Sequence, residues 1–216
     1  MDVPWVAFTP EEQHLIRDTE FFRAKAIITQ KARRLLEQIH AMLREELASV
    51  SLLAPEEADT TVGQFVKGEH LNDFPYQYLD LPKYYSKTEK FAFRSLFWWG
   101  HHFIFALILE GPFLDRYKEN LLKAYDQLVD QGLCILIAPT LWEWEKRPEL
   151  LLEIRKENRK AVEAALATLP FLKIQRFVAF DEPAFEKGEI AAVGRSIFKR
   201  MKTIIVRSDR PIGVSR

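Results

Sequence analysis

Apolar positions along the chain change their spacing several times, and each change marks an element. Ile28, Ala32, Leu35, Leu36, Ile39, Leu43 and Leu47 recur at steps of three and four. That stripe predicts a long amphipathic helix, since such steps return to one side of the helical cylinder. Lys31, Arg33, Arg34, Glu37, Arg44, Glu45 and Glu46 lie mostly off the stripe. Ahead of it, Thr9-Pro10-Glu11-Glu12 reads as a helix start. Thr9 can accept from a free backbone N–H, Pro10 suits the first helical position, and Glu12 completes a capping box. A break is expected near Asp18-Thr19.

The densest apolar stretch is Phe91–Pro112, FAFRSLFWWGHHFIFALILEGP. Its uncharged run, Ser95 to Leu109, has 15 residues, fewer than the roughly 20 that cross a bilayer as a helix. Gly100 interrupts it, and Phe, Trp, Ile and Leu suit a pleated surface. The prediction is a buried β-hairpin turning at Trp99-Gly100-His101. Apolar residues fall on both alternating sets, Phe91, Phe93 and Phe97 on one, Leu96 and Trp98 on the other. A covering layer is therefore expected on each face.

Ser51–Glu69 reads as a connection, broken by Pro55, Gly63 and Gly68, with a short strand at Gln64–Lys67. Phe74, Tyr76 and Tyr78 alternate as on a half-buried strand; Pro75 assigns that strand to an edge, and Pro82 ends it. Beyond Gly111-Pro112 the pattern predicts a helix over Phe113–Asp130 and a short buried strand at Cys134–Ile137. Pro139–Arg147, with Trp142 and Trp144, is a loop or edge strand. Pro148–Thr168 reads as a helix with Leu151, Ile154, Ala161, Ala164 and Ala165 inward. Phe171–Phe180 reads as a half-exposed strand, with Leu172, Ile174, Arg176 and Val178 on one face and Lys173 and Gln175 on the other. Ile190–Val206 closes as a helix, and Arg207–Arg216 is a polar, frayed tail. The expected fold is α+β: a single domain over residues 1–216, with an N-terminal helical segment over 1–50. Its sheet is largely antiparallel, with a central buried hairpin flanked by amphipathic helices.

Composition narrows the class. Lys plus Arg equals Asp plus Glu at 31 each, so there is no strong nucleic-acid signal. Cys134, the single cysteine, lies in GLCILIAP and reads as a small buried hydrophobe. MDVPWVAFTPEEQ has no basic region ahead of an apolar one, which argues against a signal peptide. A cytoplasmic protein, with no membrane span, is expected.

Phosphate-binding glycine loops, HExxH, paired-cysteine zinc patterns and GxSxG are absent from the sequence. His101 and His102 are adjacent, and adjacent strand residues point to opposite faces, so they do not readily grip one metal. Glu110 or His70 would have to complete such a site; no metal or cofactor is expected. Aromatic residues are the stronger feature. Phe74 to Phe105 holds 12 of the 27 Phe, Trp and Tyr residues, more than packing one hairpin requires. Tyr85, Lys87, Arg94 and Trp98 interleave rings with cations there. Such a mixture can stack a planar group beside an anion held by Lys87 and Arg94. The site expected is Tyr85, Lys87, Arg94, Trp98 and His101, in a binding module for a small anionic or aromatic ligand. Two other readings stay open. One is a hydrolase or transferase using His101 as acid or base; the other is a structural protein or homo-oligomer joined through exposed Trp142 and Trp144.

Scattered positions also resemble the YktB-like proteins, a family of small bacterial proteins with no established activity. The likeness begins at Phe8-Thr9 and continues through Arg23, Ala26-Ile27, Lys31 and Leu35 on the long helix. It resumes at Tyr85, Lys87, Phe91, Leu96, His101, Phe103-Ile104, Ile108 and Pro112, and ends with Tyr117 and Lys123. The resemblance implies an α+β fold with an antiparallel sheet and carries no activity with it.

Overall fold

The structure, a computed structural model, describes residues 7–207. The chain divides into two compact units after Arg34. In the first, α1 (Pro10–Ile16) starts with the expected capping box: the Glu12 N–H donates to the Thr9 hydroxyl, and the Thr9 N–H to the Glu12 carboxylate. The break comes at Arg17-Asp18. The Asp18 carboxylate accepts from the Phe21 N–H at 2.8 Å and opens α2 (Thr19–Leu47). Ile28, counted in the apolar stripe, is exposed.

The second unit is built on one sheet of seven strands, every pair antiparallel. Its members are β1 (Gln64–Leu71), β2 (Phe74–Tyr85), β3 (Lys90–Trp98), β4 (Phe103–Glu110), β5 (Cys134–Leu136), β6 (Leu151–Glu153) and β7 (Leu172–Val178). Their spatial order is β1-β2-β3-β4-β7-β5-β6. The helices are α3 (Leu114–Leu128), α4 (Arg159–Thr168), α5 (Pro183–Glu186) and α6 (Ile190–Ile205).

The hairpin β3–β4 is central, and it turns where the sequence puts Gly100, whose φ of 72° suits a residue without a side chain. Both faces are covered. On one, Phe91, Phe93, Phe103, Phe105, Leu107 and Leu109 meet Leu36, Ile39 and Leu43 of α2 and apolar residues of α3 and α6. On the other, Leu96, Trp98, Ile104, Ala106 and Ile108 meet Leu136, Leu141 and Trp144 of the strand β5 and the segment after it. Each such side chain fully removed from water contributes about 1.5–3 kcal/mol before conformational entropy is counted. The sheet is thus a helix-covered layer on one side and a loop-covered layer on the other.

Four expectations are corrected. β2 is not an edge strand; it lies between β1 and β3 and runs through Pro82. Its prolines are accommodated because pairing shifts register nearby, between Gly68 and Leu71 on β1 and between Asp80 and Lys83 on β2. Residues 148–168 are not one helix: β6 occupies Leu151–Glu153 between two short 3-10 turns, and only Arg159–Thr168 is α-helical, with Val162 and Leu166 inward rather than Ala161 and Ala164. β7 is not half exposed. It sits between β4 and β5, so Lys173 and Gln175 are fully buried despite their polarity. Trp144 is buried too, whereas Trp142 is 45% exposed. Of the expected frayed tail only Arg207 is described, and it is tied down: its N–H donates to the Ser51 carbonyl and its Nε to that of Leu52. The rest of the tail lies outside the described residues.

Candidate functional site

The loop-covered face carries a row of residues set by strand register. Asp80 on β2 stands opposite Arg94 on β3, Arg94 opposite Ala106 on β4, Ala106 opposite Gln175 on β7, and Gln175 opposite Cys134 on β5. Paired residues in a sheet point to the same side. A charged pair, a small gap-leaving alanine, an amide and a thiol therefore lie in line under the 137–150 segment.

Arg94 is the hub. Its Nε and Nη2 donate to the two carboxylate oxygens of Asp80 at 2.8 and 2.7 Å. Tyr85 donates its hydroxyl to Asp80 Oδ2 at 2.8 Å. Tyr85 is five residues beyond Asp80, and an odd separation on a regular strand would send it to the other face. The register shift between Asp80 and Lys83 inserts one extra residue on β2, so Tyr85 pairs with Lys90 and returns to the face of Arg94. The guanidinium carbon lies 3.7 Å from the centre of the Tyr78 ring, with Trp144 at 5.2 Å and Trp142 at 5.9 Å. An internal cation thus sits among the rings of Tyr78, Trp142 and Trp144, each with a negative face toward it, with the Tyr85 hydroxyl beside them. Burial works against the Arg94 charge, but the Asp80 hydrogen bonds and charge outweigh it and hold the guanidinium more firmly protonated than usual. Burial, then the Asp80 charge, pushes the Tyr85 phenol well above its ordinary range.

The lid over this box is pinned from below. Lys173 Nζ donates to the backbone carbonyls of Leu141 at 3.0 Å and Glu143 at 2.6 Å, and lies 3.3 Å from the centre of the Trp144 ring. Burial first, and then the Arg94 charge, pushes its pKa well down. The Glu143 carboxylate accepts from the Trp144 and Glu145 N–H groups and pairs with Arg147. Burial raises the Glu143 pKa, but those donors and Arg147 lower it more. Asn72 Nδ2 donates to Glu145 at 2.8 Å and ties the lid to the β1–β2 turn. Neither amide atom of Gln175 has a partner within the protein. Burial, then Glu153, pushes the Cys134 thiol up to about 11, so it is not a poised nucleophile.

The five residues expected from the sequence divide three ways. Tyr85 and Arg94 meet at Asp80. Trp98 and His101 meet each other, their rings stacked at 3.6 Å, with Phe74 edge-on to His101 at 4.7 Å. Trp98 lies four residues along β3 from Arg94, a distance of roughly 13 Å at strand rise, and Leu96 stands between. Lys87 is exposed in the β2–β3 turn, where its carbonyl accepts from Lys90. Glu110 pairs with Lys90. Among the described residues no group of three His, Cys, Asp or Glu side chains could hold a metal ion.

No family model, curated protein or solved structure matches this chain. The geometry therefore has to speak for the site. Asp80 is occupied by three donors and Arg94 by Asp80, so neither is free to move a proton. What reaches the surface here is the half-exposed ring of Trp142, with the Arg94 guanidinium buried behind it. Asp80, Tyr78, Lys173 and Gln175 were missed by sequence reasoning. Asp80 had a signal, an acid between Leu79 and Leu81 in an apolar strand; Lys173 and Gln175 looked like the wet face of a half-exposed strand.

Proposed function

We propose that the chain is a small-ligand binding module, taking a planar ligand with an oxygen acceptor between the Trp142 loop and the Arg94 strand. The observation that carries this reading is the aromatic box around Arg94, oriented by buried Asp80 and capped by half-exposed Trp142. A guanidinium held in a fixed orientation by Asp80 suits a carboxylate, phosphate or carbonyl oxygen brought against it. The neighbouring rings offer a stacking surface.

The rival enzyme reading rests on His101, whose Nε2 is buried without a partner; its ring is held by Trp98 and Phe74 rather than by a carboxylate. The oligomer reading keeps Trp142 alone, since Trp144 is buried. No helix among the described residues is long and apolar enough to cross a membrane. A cytoplasmic location belongs to this proposal, supported by one buried cysteine. So does the likeness to the YktB-like proteins, with which an α+β fold agrees.

Thermal shift and tryptophan fluorescence with nucleotides, sugar phosphates and short oligonucleotides test the reading. The expected result is a ligand that raises the melting temperature and quenches tryptophan emission in the wild type, with both effects lost in Trp142→Ala. A panel without effect, together with an Arg94→Lys variant that changes only stability, would sink it.

A further inference from the structure

A concavity lies between α3 and α6, on the face of the sheet opposite the aromatic box, and owes nothing to that box. It is an open groove of about 420 Å³, lined by Lys123 and Gln127 of α3, Lys202 and Thr203 of α6, and Arg207 beyond it. A neighbouring hollow of about 300 Å³ shares Gln127 and Thr203 and adds Lys199 and Arg200. No acid is among the residues lining either hollow. This concentration is local: the chain as a whole has equal numbers of basic and acidic residues. α6 itself carries Arg195, Lys199, Arg200 and Lys202 with no Asp or Glu.

Part of that charge is already answered. The single Glu46 carboxylate takes Lys202 at 3.1 Å, Lys199 at 3.4 Å and Arg195 at 3.8 Å. Lys123 has only an exposed contact with Glu119 at 3.6 Å, a type worth little. Arg200 Nη1 donates to the Gln127 carbonyl at 3.3 Å, and Arg207 Nε to the Leu52 carbonyl at 2.9 Å. Backbone carbonyls orient these two guanidiniums without neutralising them, and each keeps further N–H donors for another partner.

We infer that the α3–α6 groove and the hollow beside it form one binding site for an oligophosphate group, held by Lys123 and Arg207 in the groove and Arg200 in the hollow. Three cations call for more than one negative charge, which a lone carboxylate does not supply. A chain of phosphates offers several charges and many acceptor oxygens, matching forked guanidiniums and a lysine. The groove volume is that of a small-molecule site.

Calorimetric titration of inorganic tripolyphosphate into the full chain, at about 50 and 300 mM NaCl, tests the assignment because exposed charge attraction is screened by salt. One saturable site is expected, weaker at the higher salt. Arg200→Gln with Arg207→Gln should weaken it about tenfold or more, as loss of charge-assisted bonds implies. Trp142→Ala should leave it unchanged, which separates this site from the aromatic box. Since Arg207 also fastens the chain to Leu52, Lys123→Gln serves as the check that does not disturb folding, and it should weaken binding several-fold. Absence of saturable binding up to millimolar tripolyphosphate overturns the assignment. So does binding that Lys123→Gln and the Arg200/Arg207 variant leave unaltered.

Discussion

Breaking the Asp80–Arg94 pair from either side should damage the protein far more than removing both charges together. Asp80 is fully buried and Arg94 nearly so, with two bonds of 2.8 and 2.7 Å between them. Asp80→Leu leaves a guanidinium among three aromatic rings without its counter-charge; Arg94→Met leaves a carboxylate with only the Tyr85 hydroxyl. Each single change should cost about 3–5 kcal/mol, because an uncompensated charge stays buried. The double variant replaces the pair with apolar side chains of similar volume and should cost well under the sum, leaving a coupling of at least about 2 kcal/mol. Urea denaturation followed by tryptophan emission reads this directly. With a slope of about 2–3 kcal/mol per molar, each single variant lowers the midpoint by about 1–2.5 M. Single variants costing under about 1 kcal/mol, or costs that simply add, would mean the pair behaves as an exposed ion pair. The picture of a closed charged box would then be wrong.

Lys173→Met leaves the Leu141 and Glu143 carbonyls without their donor, yet it should compare most favourably with the wild type near neutral pH, where burying the charged amine costs most. The folded amine titrates below the ordinary 10.5, so between the two values the unfolded chain binds more protons and wild-type stability rises with pH. The advantage of the variant should therefore shrink as pH approaches 10.5; urea midpoints across that range check it, and a constant difference refutes it. Gln175→Met should raise stability by about 1–3 kcal/mol, since it removes two unpaired buried atoms, while reducing any ligand-induced thermal shift; a loss of stability would show that the amide is bonded. Gly194→Ala in α6 should destabilise, although alanine favours helices by about 1 kcal/mol. The new Cβ would fall 2.7 Å from the Phe105 ring, and calorimetric melting should register a net loss of about 1–3 kcal/mol.

The elements governed by local pattern could be read from the sequence. The capping box at Thr9, the hairpin turn at Gly100 and the α6 stripe each depend on neighbours within a few residues. What could not be read is set by who stands beside a strand. The two buried polar residues of β7 alternate with apolar ones, as on any half-wet strand, and only the insertion of β7 between β4 and β5 reveals them as buried. The return of Tyr85 to the Arg94 face depends on one extra residue in β2, and no local pattern reports that insertion. Leu151–Glu153 has helical apolar spacing with its neighbours, yet pairing with β5 decides its state. Arg94 and Tyr85 were visible as a ring-and-cation mixture; Asp80 stood out only as an acid in an apolar strand, and its pairing with Arg94, 14 positions away, was not legible.

Strand order also has a consequence for the growing chain. β7 emerges from the ribosome last among the strands, yet its slot adjoins β4, the most apolar strand of all. Until Leu172–Val178 is made, the outer N–H and C=O groups of β4 have no strand to pair with. β5 cannot dock either, for its ladders run only to β6 and β7. A truncation ahead of Leu172 would therefore leave a greasy, open template that other copies could extend. Nascent chains of this protein should lean on chaperones longest during the synthesis of the segment between Gly111 and Phe171.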